Sequence, residues 1–293
     1  MIKESANSAL FCYLCYAMPI SLSKIILLVS TLFLLSCGGT EKAEDIITEE
    51  EKDTSFSEES KFNAQNVFNS LPDRNVILKL IEENQLEYNP DLLNNPTYVN
   101  NYALESVKAV NLGIYGSDLS IASSFNQTQE SMIFLKAVNM LAMQLGVSAA
   151  FDQKTVERID ANETNKDSVI EIVTGSFKRV DEILKMNNRP ATAAVILSGC
   201  WIEGLYVSCQ LAQQSGAAPI IKTIVSQKES LKNLIVMLEN VTLEDNSKFI
   251  LADLQNLYKS FEIAETQTEH NKKTIAAITK QISDLRNKIT TVV

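Results

Sequence analysis

Residues 191–213 read ATAAVILSGCWIEGLYVSCQLAQ, apolar on nearly every face and carrying one charge, Glu203. A helix of this length could cross a bilayer. The carboxylate in mid-segment and the frequent Ala, Gly and Ser residues favour a helix enclosed by other helices. A domain whose remaining helices are amphipathic needs such a buried centre.

Those neighbours can be traced outward. Upstream, 167–186 has an amphipathic pattern that Asn187-Asn188-Arg189-Pro190 ends, and Val156 to Ile159 suggests a short polar helix. Before it, 129–145 carries Ile133, Leu135, Val138, Leu141 and Leu145, with Gly146 placed as its stop. Met132, Met140 and Met143 could line a soft-metal or apolar ligand site, but methionine routinely fills gaps in cores. Pro72 suits the first turn of a helix through Val76, Ile77, Leu80 and Ile81, and Asn89-Pro90 and Asn94-Asn95-Pro96 mark turns beyond it. After Pro96 the only prolines are Pro190 and Pro219, and no sustained period-two alternation occurs. The predicted class is all-α: a multi-helix bundle with a buried central helix and a long C-terminal helix or helical hairpin.

The phrase NLGIYGSDLSIASSFNQTQ, residues 111–129, predicts a helix with little bulk on several faces, which lets neighbouring helices approach closely. Such a helix belongs in the centre, beside 191–213. Its Asp118 and Tyr115 then come inside the bundle, where an ionised carboxylate needs a partner or a proton. The phrase resembles one found in uncharacterised helical lipoproteins of Gram-negative bacteria. The resemblance spans roughly residues 72–215 and implies no activity.

Residues 219–293 form the other informative region. From Ile250, the series Leu254, Leu257, Phe261, Ala264, Thr268, Asn271, Ile275, Ile278, Ile282, Leu285, Ile289 and Val292 follows an alternating four-three spacing, weakened at Thr268 and Asn271. This predicts one long helix, or two meeting near Thr266 to His270. Ile220, Ile224, Leu231, Leu234, Ile235 and Leu238 supply a partner stripe. Antiparallel packing within the chain is one outcome. Self-association, or a protein partner held through the 250–292 stripe, is the other.

The inventory of chemistry is short. One histidine, His270, cannot furnish the Glu-x-x-His pairs of di-metal bundles, a His-based triad or a zinc site of the usual kind. No GxxxxGK[ST] or GxGxxG phosphate loop occurs, so no cofactor and no metal is expected. Cys200 and Cys209, nine positions apart, fall on opposite faces of one helix and cannot bridge each other. Asp118 and Glu203 are the carboxylates expected inside the bundle. They could form a hydrogen-bonded core network or line a ligand pocket with Tyr115, Trp201 and Tyr206. A general acid–base pair stays formally open, but no residue is assigned a catalytic role.

The N-terminal region supplies an address. Lys24 precedes an apolar run from Ile25 to Leu35, about eleven residues, the length of a signal-peptide core and too short to span a bilayer. It closes in Leu34-Leu35-Ser36-Cys37, which resembles the lipobox of bacterial lipoproteins. By that resemblance 1–36 is the signal peptide, and Cys37 becomes a lipidated first residue held by acyl chains in the membrane. Ala9 to Ile20 is a second apolar run that would allow an uncleaved anchor, and Met18 offers a later start. Residues 37–62 read as an acidic flexible tether, with about nine acidic side chains against Lys42 and Lys52 between Glu41 and Glu59. The helical domain is expected over 63–293. Gly38 after the cysteine fails the inner-membrane retention rule that requires Asp, which implies the outer membrane, on its periplasmic or surface face. A formal net charge of -10 argues against nucleic acid as a partner.

Two functional readings follow. In one, the protein is a non-catalytic interaction or scaffold module of the cell envelope. In the other, a pocket between helices 111–125 and 191–213 binds a ligand.

Overall fold

The computed structural model describes residues 83–291 apart from positions 85 and 163. The predicted signal peptide, the tether and the helix through Val76 and Ile81 lie outside the described residues. Every regular element within them is helical. The all-α expectation holds.

A segment with two short 3-10 turns, Pro90–Leu92 and Pro96–Asn100, leads into α1 (Glu105–Ser124) and α2 (Thr128–Gln144). After a third 3-10 turn, Ser148–Phe151, come α3 (Gln153–Asp160), α4 (Lys166–Met186) and α5 (Pro190–Ser215). The chain then folds through α6 (Ala218–Val225), α7 (Lys228–Glu239), α8 (Lys248–Glu265) and α9 (Ala276–Thr290). Local chemistry sets most boundaries. Asn89 and Asn95 cap the two leading turns ahead of their prolines, and the carboxylate of Asp152 accepts the Thr155 N–H at 2.8 Å to start α3. Gly146 and Gly216 take left-handed φ values of 73° and 68° just after α2 and α5, as helix stops do. The small-residue helix starts six residues ahead of the phrase, at Glu105, and stops before its end. It ends at Ser124, and Asn126, at φ 57°, turns the chain into α2.

Helices α1 and α5 form the centre and run in the same direction. Arg189 meets Glu105 at one end of the pair, and Ser117 Oγ donates to the Cys200 carbonyl at 2.8 Å further along. Two glycines allow the approach. A Cβ on Gly199 would overlap the Val110 carbonyl oxygen and sit 3.2 Å from the Gly113 Cα, and a Cβ on Gly113 would overlap the Ile196 carbonyl oxygen. The two backbones are in contact. Gly116, on the same helix, receives the Phe177 ring of α4. Although α5 is long and apolar enough to cross a membrane, most of its surface is covered by the bundle.

The C-terminal stripe divides into two helices at the predicted weak point. Asp253 pairs with Lys288 at 2.7 Å and Ser260 with Gln281 at 2.8 Å, so α8 and α9 are antiparallel. Leu254, Leu257, Phe261, Ile278, Ile282, Leu285 and Ile289 are all buried. These apolar positions of the stripe pack inside the fold, while Thr268 and Asn271 are exposed. Of the methionines placed in the core, Met143 is largely exposed.

Candidate functional site

The site forms where four stretches distant in sequence converge: the segment before α1, the middle of α1, the middle of α5 and the end of α9. Small residues in α1 and α5 bring their backbones together. One helical turn further on, the same register sets Asp118 against Glu203. Both carboxylates are 0% exposed, and Arg286 of α9 closes over them at 8%.

Arg286 holds Glu203 through two parallel bonds, with Nε donating to Oε2 and Nη2 to Oε1, each at 3.0 Å. Such a fork matches a carboxylate in both geometry and charge. Nη2 also donates to the Leu92 carbonyl at 3.2 Å, and the guanidinium carbon sits 4.6 Å from the Tyr206 ring centroid. One Asp118 oxygen accepts the Asn94 backbone N–H at 3.2 Å. The other is buried with no hydrogen-bond partner among the described residues and feels the charge of the Glu203 carboxyl.

Burial, then the Glu203 charge, raises the Asp118 pKa well above the usual carboxylate range. Burial raises Glu203 as well, but the Arg286 charge and hydrogen bonds oppose that rise. Burial therefore drives Asp118 towards its protonated form, while Arg286 favours the ionised form of Glu203. With Asp118 protonated, Arg286 and Glu203 pair to zero net charge, the arrangement that makes their burial tolerable.

A second limb extends from this trio through neutral groups. Asn94 Nδ2 donates to the Tyr102 hydroxyl at 3.1 Å and to Asn111 Oδ1 at 3.2 Å. Tyr115 donates to the Asn95 carbonyl at 2.8 Å, and its hydroxyl lies 3.2 Å from that of Tyr102. Burial raises both phenols above their ordinary pKa, so both stay protonated.

Of the residues singled out from sequence, Tyr115, Asp118 and Glu203 join one network. Trp201 does not: two positions from Glu203 on a helix, it points away, donates to Ser230 Oγ at 3.1 Å and packs by Phe261. The expected grouping of Trp201 with the carboxylates is corrected accordingly. Tyr206 serves as the surface beneath Arg286. Arg286, Asn94, Tyr102 and Asn111 were missed. A cation beside a heptad stripe looks solvated from sequence alone, and the only local hint is that Arg286 sits between stripe residues Leu285 and Ile289.

Beside the network lies a cleft of about 520 Å³. Leu93, Asn94, Asn95, Tyr98 and Asn101 form one wall, and Arg286, Thr290 and Thr291 the other. It lies between the leading segment and α9, not between α1 and α5, whose backbones touch. Among the described residues no three His, Cys, Asp or Glu side chains gather as a metal site. Burial pushes the thiols of Cys200 and Cys209 up to about 12, which leaves them poor nucleophiles at neutral pH. Comparison of the chain with protein-family models, with curated proteins and with solved structures finds no match.

Proposed function

We propose that this protein is a lipid-anchored, non-catalytic helical module of the bacterial cell envelope, attached through Cys37 and presented by its acidic linker at the outer membrane. The observation that supports the non-catalytic part is the state of Asp118 and Glu203. The two carboxyls best placed for acid–base work have no exposed surface: Glu203 is bound by Arg286, and Asp118 accepts the Asn94 backbone N–H. A general acid or base must reach the proton it transfers. These groups instead hold four chain segments together. The apolar stripe residues of α8 and α9, from Ile250 to Ile289, are buried within the fold, so a protein partner would meet another surface.

The anchoring is supported by the Lys24–Cys37 sequence and is tested by substitution. In a Gram-negative host fed labelled palmitate, the wild-type chain is expected to take up label and fractionate with the outer membrane. Cys37→Ser should lose both. Label retained by the Cys37→Ser chain would refute lipidation at this position.

A further inference from the structure

The cleft between the leading segment and α9 is built of side chains with spare hydrogen-bonding capacity. Arg286 spends Nε and Nη2 on Glu203 and Leu92. Its Nη1 makes no hydrogen bond to any described residue and is not sealed from solvent, so that edge faces the cleft it lines. Asn101 makes no side-chain bond to a described residue. Asn95 uses only its Oδ1, to cap the turn at Thr97, and keeps its amide N–H groups free. Opposite them, Thr290 and Thr291 donate their hydroxyl hydrogens to the carbonyls of Arg286 and Asn287, leaving oxygen lone pairs as acceptors. Tyr98 adds an aromatic ring that is 38% exposed.

The electrostatics narrow the class of ligand. Among the described residues that line the cleft, Arg286 is the only charged one, and Glu203 behind it neutralises it. The wall on that side is the C-terminal end of α9, whose free carbonyls carry partial negative charge. An anion entering here would meet no net positive field, and none of the described residues lining the cleft has a carboxylate to attract a cation. What remains is a neutral group rich in both donors and acceptors, with one face able to lie on an aromatic ring. Amide and guanidinium donors, hydroxyl acceptors and an aromatic platform together match the hydroxyl array and C–H face of a sugar ring. The volume is within the range of small-ligand sites.

We propose that this cleft binds a neutral saccharide, with Arg286 Nη1, Asn95 and Asn101 donating to sugar hydroxyls, Thr290 and Thr291 accepting, and Tyr98 stacking on the ring. The site is independent of anchoring at Cys37 and adds a ligand class to the chain's role.

Saturation-transfer NMR on the full chain, in a zwitterionic detergent lacking sugar headgroups, tests this. The probes are glucose, galactose, N-acetylglucosamine and its β-1,4-linked disaccharide, with acetate, phosphate and diglycine as alternatives. At least one saccharide is expected to receive saturation, unchanged between 50 mM and 500 mM salt because no charge is recognised. Tyr98→Ala and Asn101→Ala alter exposed residues, so both variants should fold. Each should weaken binding about fivefold, the typical worth of one such contact. The proposal is overturned if no saccharide receives saturation, if both variants bind as wild type does, or if acetate, phosphate or diglycine displaces the sugar from the cleft.

Discussion

Replacing Asp118 by Asn tests the buried proton directly. The amide has nearly the shape of the protonated acid. It can donate Nδ2–H to Glu203 while Oδ1 keeps the bond from the Asn94 N–H, so the network should survive with its charge balance intact. What changes is linkage to pH. In the unfolded chain Asp118 ionises near the ordinary carboxylate value. In the folded protein burial and Glu203 hold it protonated well above that, so folding takes up a proton. A raised folded-state pKa means that the contribution to stability is complete below the unfolded value and is lost as pH rises towards the folded one. In that window one proton changes stability by about 1.4 kcal/mol per pH unit. Titrating groups away from the site are common to both proteins and cancel in the difference, and Glu203, the neighbour coupled to Asp118, is held by Arg286 in both. Wild type should therefore lose about 1.4 kcal/mol per pH unit relative to Asp118→Asn as pH rises from 5, the variant being the more stable at neutral pH. Urea unfolding of both chains at half-unit intervals from pH 4.5 to 7.5, followed by circular dichroism, measures the difference. Parallel stability curves would refute the buried proton on Asp118. A variant that loses ground as pH rises would reverse its sign.

Removing Arg286 should be far more damaging than its position at a helix surface suggests. Arg286→Met leaves Glu203 charged and buried, a loss of about 3–5 kcal/mol; the double change with Glu203→Leu should recover most of it, and chemical denaturation of the single and double variants decides. The central helix offers a reversal of sign within one element. Gly199→Ala drives a methyl into the α1 backbone and should destabilise by about 1–3 kcal/mol even though alanine is the better helix former, whereas Gly204→Ala, with nothing within 4 Å of the added Cβ, should stabilise by up to about 1 kcal/mol. Thermal melts of the two variants check both directions.

Much of the fold was legible because helix signals are local. Pro190 at the start of α5 and Gly216 just past its end follow from backbone restrictions that a single residue imposes. The apolar faces of α4 and α8 are periodic patterns that any chain with that spacing must bury. The weak point of the heptad stripe at Thr268 and Asn271 became the turn between α8 and α9, since two polar residues in a seam cannot hold it closed. That Asp118 and Glu203 lie inside was also legible, because each sits in a stretch with no polar face to carry it outward.

Which groups meet them was not legible. Arg286 lies 83 positions from Glu203, and Asn94 lies 24 from Asp118. Neither spacing corresponds to any local period. Their meeting depends on the Gly113–Gly199 contact that sets the register of α1 on α5, and on α9 folding back antiparallel to α8. Trp201 shows the same boundary from the other side. Its nearness to Glu203 in sequence suggested a shared site, and two steps along a helix turned it away. The amino-acid sequence by itself determined where helices start, stop and turn an apolar face inward, because those are properties of a few neighbouring residues. Only the tertiary structure decided which buried charge finds which partner, because a charge is neutralised by whatever the packing of whole helices brings within hydrogen-bonding reach.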